Sequence, residues 1–103
     1  MGRPYGQDLI IDLHKSGRND IGAELARVCI KANLPAKHVA TVLGATRMTV
    51  YNWFRGSSPQ SHRKELIEKF VTRVRQDIDL KILPPATEEM AKRYLDNLAA
   101  DWR

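Results

Sequence analysis

The stretch from Ala36 to Arg55, AKHVATVLGATRMTVYNWFR, constrains the fold of this 103-residue chain more than any other part of it. Its apolar residues repeat at helical spacing on both sides of Gly44, which predicts two short helices. Gly44 can adopt the left-handed backbone that ends a helix, and the Thr46 hydroxyl can accept a backbone N–H at the start of the next one. Two short helices joined by so tight a turn predict a helix-turn-helix.

The second of these helices is predicted to have one apolar face and one polar face. Val50, Trp53 and Phe54 form the apolar face, and the pattern stops at Gly56. The opposite face carries side chains that can reach into a nucleic-acid groove, and these are Arg47, Met48, Tyr51, Asn52 and Arg55. We therefore expect the first face to be core and the second to be a binding surface.

Positive charge is concentrated on this motif and on the segment that follows it. The chain has a net charge of +5. Residues 33–75 hold eight Lys/Arg and two Glu, which gives +6, whereas residues 1–32 come to +1 and residues 76–103 to −2. A surface that binds phosphates requires such a concentration of charge. A solvated helix face is the alternative interpretation.

The rest of the chain predicts further helices and no strand, except at most at residues 81–83. An irregular arm at residues 1–6 is followed by helical patterns over residues 7–16, 20–32, 61–78 and 87–102. Asn19 or Asp20 is expected to cap the second of these, Asn33 to leave it in the left-handed conformation, and Thr87 to cap the last. The fold class is therefore all-α, with about five to six helices. We expect a domain at residues 1–80 that contains the motif 36–56, a proline-rich break at 81–86 and a C-terminal helix at 87–103.

The C-terminal helix has an apolar stripe with two alternative uses. The stripe consists of Met90 (or Ala91), Tyr94, Leu95, Leu98 and Trp102. An exposed stripe of this kind would be larger than the apolar surface that a monomer usually leaves uncovered, so we expect the helix to support a homodimer. Packing of the same stripe onto the 61–78 helix is the alternative.

Several function classes have little support. The single Cys29 lies on an apolar stripe, which predicts a buried thiol and neither a disulfide nor a zinc site. His14, His38 and His62 lack the spacing of metal ligands, and there is no glycine-rich phosphate loop and no nucleophile beside a base. We therefore expect no enzymatic activity, no metal and no cofactor. The absence of a long apolar run or a signal peptide predicts no membrane association and a cytoplasmic, nucleoid-associated location.

Residues 21–56, IGAELARVCIKANLPAKHVATVLGATRMTVYNWFRG, resemble the helix-turn-helix domain of the lambda-repressor/Cro (XRE-like) family. The positions that carry the resemblance are Ile21-Gly22, Leu25, Asn33-Leu34, Ala40, Leu43-Gly44, Val50, Trp53 and Gly56. The likeness implies a lambda-repressor-like bundle with an extra C-terminal helix. Two positions depart from the family: Ala36 stands where many members carry a DNA-contacting glutamine, and Pro35 replaces the usual Ser/Thr cap.

The resemblance also implies that the 46–55 helix lies in the major groove of double-stranded DNA. Base contacts are expected from Arg47, Met48, Tyr51 and Asn52, and a base or phosphate contact from Thr49 and Arg55. Phosphate contacts are expected from Lys37, Thr46, Ser57, Ser58, His62, Arg63 and Lys64.

Three functions remain open from the sequence. The leading hypothesis is a sequence-specific DNA-binding protein, a small transcriptional regulator that occupies an operator or contacts RNA polymerase beside it. The second is a DNA-recognition subunit of a nucleoprotein assembly, such as a viral DNA-packaging component. The third is a protein-interaction module that has kept the fold and lost DNA binding. A two-fold dimer favours the first, a ring of many subunits favours the second, and the basic block argues against the third.

Overall fold

The computed structural model describes residues 5–102, which form six helices in the order α1 Gln7–Ser16, α2 Ile21–Lys31, α3 Ala36–Leu43, α4 Arg47–Phe54, α5 Ser61–Asp79 and α6 Glu88–Asp101. No strand occurs in this part of the chain, so the prediction of an all-α fold is confirmed. Of the arm predicted at residues 1–6, the first four residues lie outside the described range. None of the six helices combines the length and the apolar character that a membrane span needs.

The helix ends lie where local signals predicted them. The exits at Gly17, Asn33 and Gly44 have a positive φ, which is 63°, 53° and 64° respectively. Gly56 after α4 and Lys81 after α5 also have a positive φ, of 120° and 66°. The caps predicted at Thr46 and Thr87 are present, and each side chain accepts a backbone N–H three residues later. Asp20, and not Asn19, caps α2.

All six helices contribute to one hydrophobic core. Its largest fully buried side chains include Leu25 of α2, Leu43 of α3, Phe54 of α4 and Phe70 of α5. Cys29 is also fully buried, as predicted, and burial raises the pKa of its thiol to about 12. The thiol is therefore neutral at physiological pH and acts as a small apolar side chain.

Helix α6 belongs to this core. Its buried residues are Ala91, Leu95, Leu98 and Ala99, and its main neighbour is α3, not the 61–78 helix that was the expected partner for back-packing. The helix also contacts α5, because the Tyr94 hydroxyl donates to buried Asp77 and the Trp102 ring lies 6.4 Å from that of Phe70. Met90 is exposed, and Ala91 occupies the buried position that the sequence left open between the two.

The apolar stripe that we expected at a dimer interface is therefore covered within the chain. Back-packing, the alternative use of this helix, is the arrangement found. A homodimer stays a prediction, but its interface must lie elsewhere.

Candidate nucleic-acid interface

Helix α4 presents a polar face to solvent because its apolar face fills the core. Val50, Trp53 and Phe54 are buried, as predicted, and Ala40 of α3 is buried where the two helices of the motif pack together. The outward face carries four exposed side chains, which are Arg47, Met48, Asn52 and Arg55. Met48 has 68% of its surface exposed. The structure thus brings together on one face four of the side chains that the sequence singled out.

Tyr51 differs from these four because its ring is half-buried. The ring packs edge-on against Phe54, with 5.7 Å between centroids, and against Tyr5 at 6.2 Å. The Arg47 guanidinium lies 5.7 Å from the centre of the Tyr51 ring, within the range of a cation–π interaction. Tyr51 therefore anchors α4 to the core and positions Arg47, while part of its surface still faces outward.

Tyr5 is a core residue that sequence reasoning missed, since it placed residues 1–6 in an irregular arm. The Tyr5 ring is 5% exposed, and its hydroxyl donates to the Leu34 carbonyl. Burial raises the pKa of Tyr5 far above its ordinary value, so the phenol stays neutral. The beginning of the described chain is thereby fixed beside α4. A lone tyrosine between Pro4 and Gly6 gives no periodic signal that could have predicted this.

The hydroxyls of Thr46 and Thr49 satisfy each other at the beginning of α4. Thr46 Oγ1 accepts the backbone N–H of Thr49 at 3.1 Å and lies 3.0 Å from Thr49 Oγ1. Thr46 is exposed and Thr49 is half-buried. The Thr46 hydroxyl therefore caps the helix and retains capacity for one further hydrogen bond, whereas the Thr49 hydroxyl retains capacity for two.

The residues expected at phosphates fall into two groups. Ser57, Ser58, His62 and Lys64 are exposed around the end of α4 and the beginning of α5. Arg63 and Lys37 instead have partners within the chain.

Arg63 connects the beginning of α5 to the end of α3. Its Nη1 donates to the carbonyls of Leu43 at 2.8 Å and Gly44 at 2.6 Å. Arg63 thus stabilises the turn of the motif as a C-terminal cap of α3, and it lines a cleft of about 570 Å³ between that turn and α5. Lys37 pairs with Glu88 at 3.1 Å, with both side chains more than half exposed. Such a pair is weak and can open for another anion.

The electrostatic character of this face follows from the absence of acidic residues. Residues 33–64, which include α3, α4 and the first turn of α5, contain no Asp or Glu. Two acidic side chains from outside this segment approach its edges: Glu88 pairs with Lys37, and Asp20 binds the same Arg18 guanidinium that donates to the Phe54 carbonyl. No three His, Cys, Asp or Glu side chains within residues 5–102 come together as a metal site. The face is therefore suited to a polyanion.

The C-terminal end of α4 is held by Arg18, a residue of the turn between α1 and α2. Its guanidinium donates to the Phe54 carbonyl at 2.8 Å and to both carboxylate oxygens of Asp20, each at 2.8 Å. Asp20 also accepts the N–H of Ala23 at 3.0 Å as the cap of α2. The hydrogen bond from Arg18 holds the pKa of Asp20 below its ordinary value. Arg18 therefore ties the beginning of α2 to the end of the helix that carries the candidate contacts.

Sequence reasoning placed Arg18 only in a turn, because its partner Phe54 is 36 residues away. Replacing Arg18 by alanine is expected to loosen the last turn of α4, since the Phe54 carbonyl loses its charged donor. We expect faster amide exchange at residues 55–57, measured by hydrogen exchange in the free protein. The free energy of unfolding should fall by about 1–3 kcal/mol.

The matched control for this change is Arg75→Ala. Arg75 lies 4.0 Å from Glu24, and both side chains are exposed by more than a third. Loss of such a surface pair should change the stability by less than about 0.5 kcal/mol and leave residues 55–57 unaffected. Equal effects of the two substitutions would mean that Arg18 does not hold the end of α4.

Comparisons of the chain with protein-family models, with curated proteins and with solved structures found no match. What the chain does is therefore inferred from the surface itself.

Proposed function

We propose that the chain is a sequence-specific double-stranded DNA-binding protein, a small transcriptional regulator that inserts α4 into the major groove. The observation that carries this proposal is the outward face of α4, where Arg47, Met48 and Asn52 are exposed side by side on a helix whose other face is core. Arginine can pair with guanine through two hydrogen bonds, asparagine can pair with adenine, and an apolar side chain can contact the thymine methyl group.

Side chains at both ends of α4 can contact the phosphate backbone of DNA. Ser57, Ser58, His62 and Lys64 lie at one end, and Thr46 lies at the other. Arg55 follows the last turn of α4 and is exposed, so it can reach a base or a phosphate. Together with the lack of acidic residues from 33 to 64, this surface fits a duplex better than it fits a neutral partner.

Two copies on neighbouring half-sites would read a longer sequence than one helix can. In helix-turn-helix dimers such half-sites lie about one helical turn apart, roughly 34–36 Å. The buried stripe of α6 is not available for this contact, because Leu95 and Leu98 belong to the core. A homodimer of this protein would therefore use another surface or form only on DNA.

The proposal is tested by selecting bound fragments from random double-stranded DNA and comparing variants on the recovered site. Asn52→Ala and Arg47→Ala should each weaken binding to that site by about 1–3 kcal/mol, with Asn52→Ala leaving binding to unrelated DNA intact. Lys64→Ala should weaken binding to all sequences alike and reduce the slope of log K against log salt by about 0.9. Fluorescence anisotropy at several salt concentrations measures both effects.

Recovery of no preferred sequence, with affinity that is independent of salt, would exclude DNA binding and leave a protein-interaction module. Equal behaviour of the Asn52 and Lys64 variants on all sequences would show that α4 contacts only the DNA backbone.

A further inference from the structure

A second surface, far along the chain from α4, has the composition of a binding site. It is a groove of about 490 Å³ between α1 and α2, lined by Ile10, Ile11, Leu13, His14, Lys15, Arg27, Ile30 and Lys31. Ile11 is 41% exposed, and Ile10 and Ile30 are only partly buried. Helix α1 packs chiefly against α2, so within residues 5–102 no third helix covers these isoleucines.

The charged residues that line this groove are all basic. Lys15, Arg27 and Lys31 are among them, whereas Asp8 and Asp12 of α1 do not line it. Six ion pairs form elsewhere among residues 5–102, yet none of them involves these three cations. Arg27 donates to the Arg18 carbonyl, which fixes its guanidinium without neutralising it. The groove thus combines an apolar floor with uncompensated positive charge.

This combination distinguishes between classes of ligand. A phosphate backbone would gain from the cations, but it would leave the isoleucines without an apolar partner. A purely apolar ligand would leave three cations unpaired beside it. A groove between two helices is the shape that receives a third helix, and its two requirements are met by a helix with one apolar stripe flanked by carboxylates.

We propose that the groove between α1 and α2 binds an acidic amphipathic helix of a partner protein. The apolar side chains of that helix contact Ile10, Ile11 and Ile30, and its carboxylates pair with Lys15 and Lys31 at the rim. The groove is built from α1 and α2, while the candidate DNA contacts are on α4, so one chain can hold DNA and a partner protein at different surfaces. This interaction does not depend on the proposed DNA binding.

The test uses the full chain and a synthetic helix-forming peptide with leucine at positions i, i+4 and i+7 and glutamate beside them. Two comparison peptides are the same sequence with lysine in place of glutamate and a scramble of the same composition. Binding is followed by amide chemical shifts of the isotope-labelled protein. We expect the acidic amphipathic peptide to shift resonances of α1 and α2, and the two comparison peptides to bind at least about tenfold more weakly.

A charge reversal at the rim sharpens the test. Lys31→Glu, at an exposed position, should weaken binding of the acidic peptide by about tenfold and strengthen binding of the lysine peptide. The matched control is Lys81→Glu, which makes the same change in net charge at an exposed residue outside the groove. It should change the affinity by less than about twofold, because exposed charges at a distance are screened by salt.

Four results would overturn the proposal: no shifts in α1 and α2, shifts confined to α4, equal binding of the scrambled peptide, or equal effects of the Lys31 and Lys81 reversals. Shifts of the groove resonances with protein concentration alone would also overturn it, because they would identify a second copy of the chain as the occupant.

Discussion

Replacing Gly22 by alanine is expected to destabilise the protein by about 3 kcal/mol, a large part of the 5–15 kcal/mol that holds a typical domain together. Gly22 lies in the first turn of α2, where the helix crosses the end of α4. A Cβ atom built on Gly22 would lie 2.2 Å from the Trp53 carbonyl oxygen and 3.0 Å from its carbon. Both are backbone atoms, so no side-chain rotation can relieve the clash, and the two helices must separate in a closely packed core.

The sign of this prediction is opposite to that expected from helix propensity. In an exposed helix, alanine is more favourable than glycine by about 1 kcal/mol. A variant as stable as the unmodified protein, or more stable, would therefore contradict the close approach of α2 and α4. Urea unfolding measures the change. Gly6→Ala is the matched control, because a Cβ there meets nothing within 4 Å, and its effect should stay within about 0.5 kcal/mol.

The close contact at Gly22 is a feature of the fold that could not be predicted from the sequence. The Ile21-Gly22 pair was one of the positions that carried the family resemblance, but the need for glycine at this place comes from Trp53, which belongs to another helix. The exits at Gly17, Asn33 and Gly44 could be predicted because a left-handed residue acts on its own backbone. The same holds for the caps at Thr46 and Thr87, whose hydrogen bonds reach only three residues along the chain.

For the candidate site, too, the local features could be predicted from the sequence and the long-range contacts could not. The outward face of α4 follows from helical spacing, so Arg47, Met48 and Asn52 could be singled out from the sequence. The supports of that face could not, because each one joins distant segments. Arg18 reaches Phe54, and Arg63 reaches the Leu43 and Gly44 carbonyls across 20 and 19 residues. Only a tertiary fold brings such pairs together.

Leu95→Ala is the second change from which we expect a large effect, a loss of about 2–5 kcal/mol in the free energy of unfolding. Leu95 is fully buried in α6, whose main neighbour is α3, the first helix of the motif. Truncation to alanine removes apolar contacts and leaves a cavity beside the helix-turn-helix. For the same reason, a chain that ends at Leu83 should not fold, since it would uncover the core on that side.

Met90→Ala is the control in the same helix, because Met90 is 49% exposed and should contribute less than about 0.5 kcal/mol. Urea unfolding and light scattering of both variants separate the two uses of α6. If the stripe formed a dimer interface, Leu95→Ala would produce a folded monomer of unchanged intrinsic stability, and the chain ending at Leu83 would also be folded. If the stripe is core, as the structure has it, Leu95→Ala lowers the urea midpoint without altering the oligomeric state. Helix α6 then supports the helix-turn-helix from behind through its contacts with α3, and any pairing of protomers must come from a different surface.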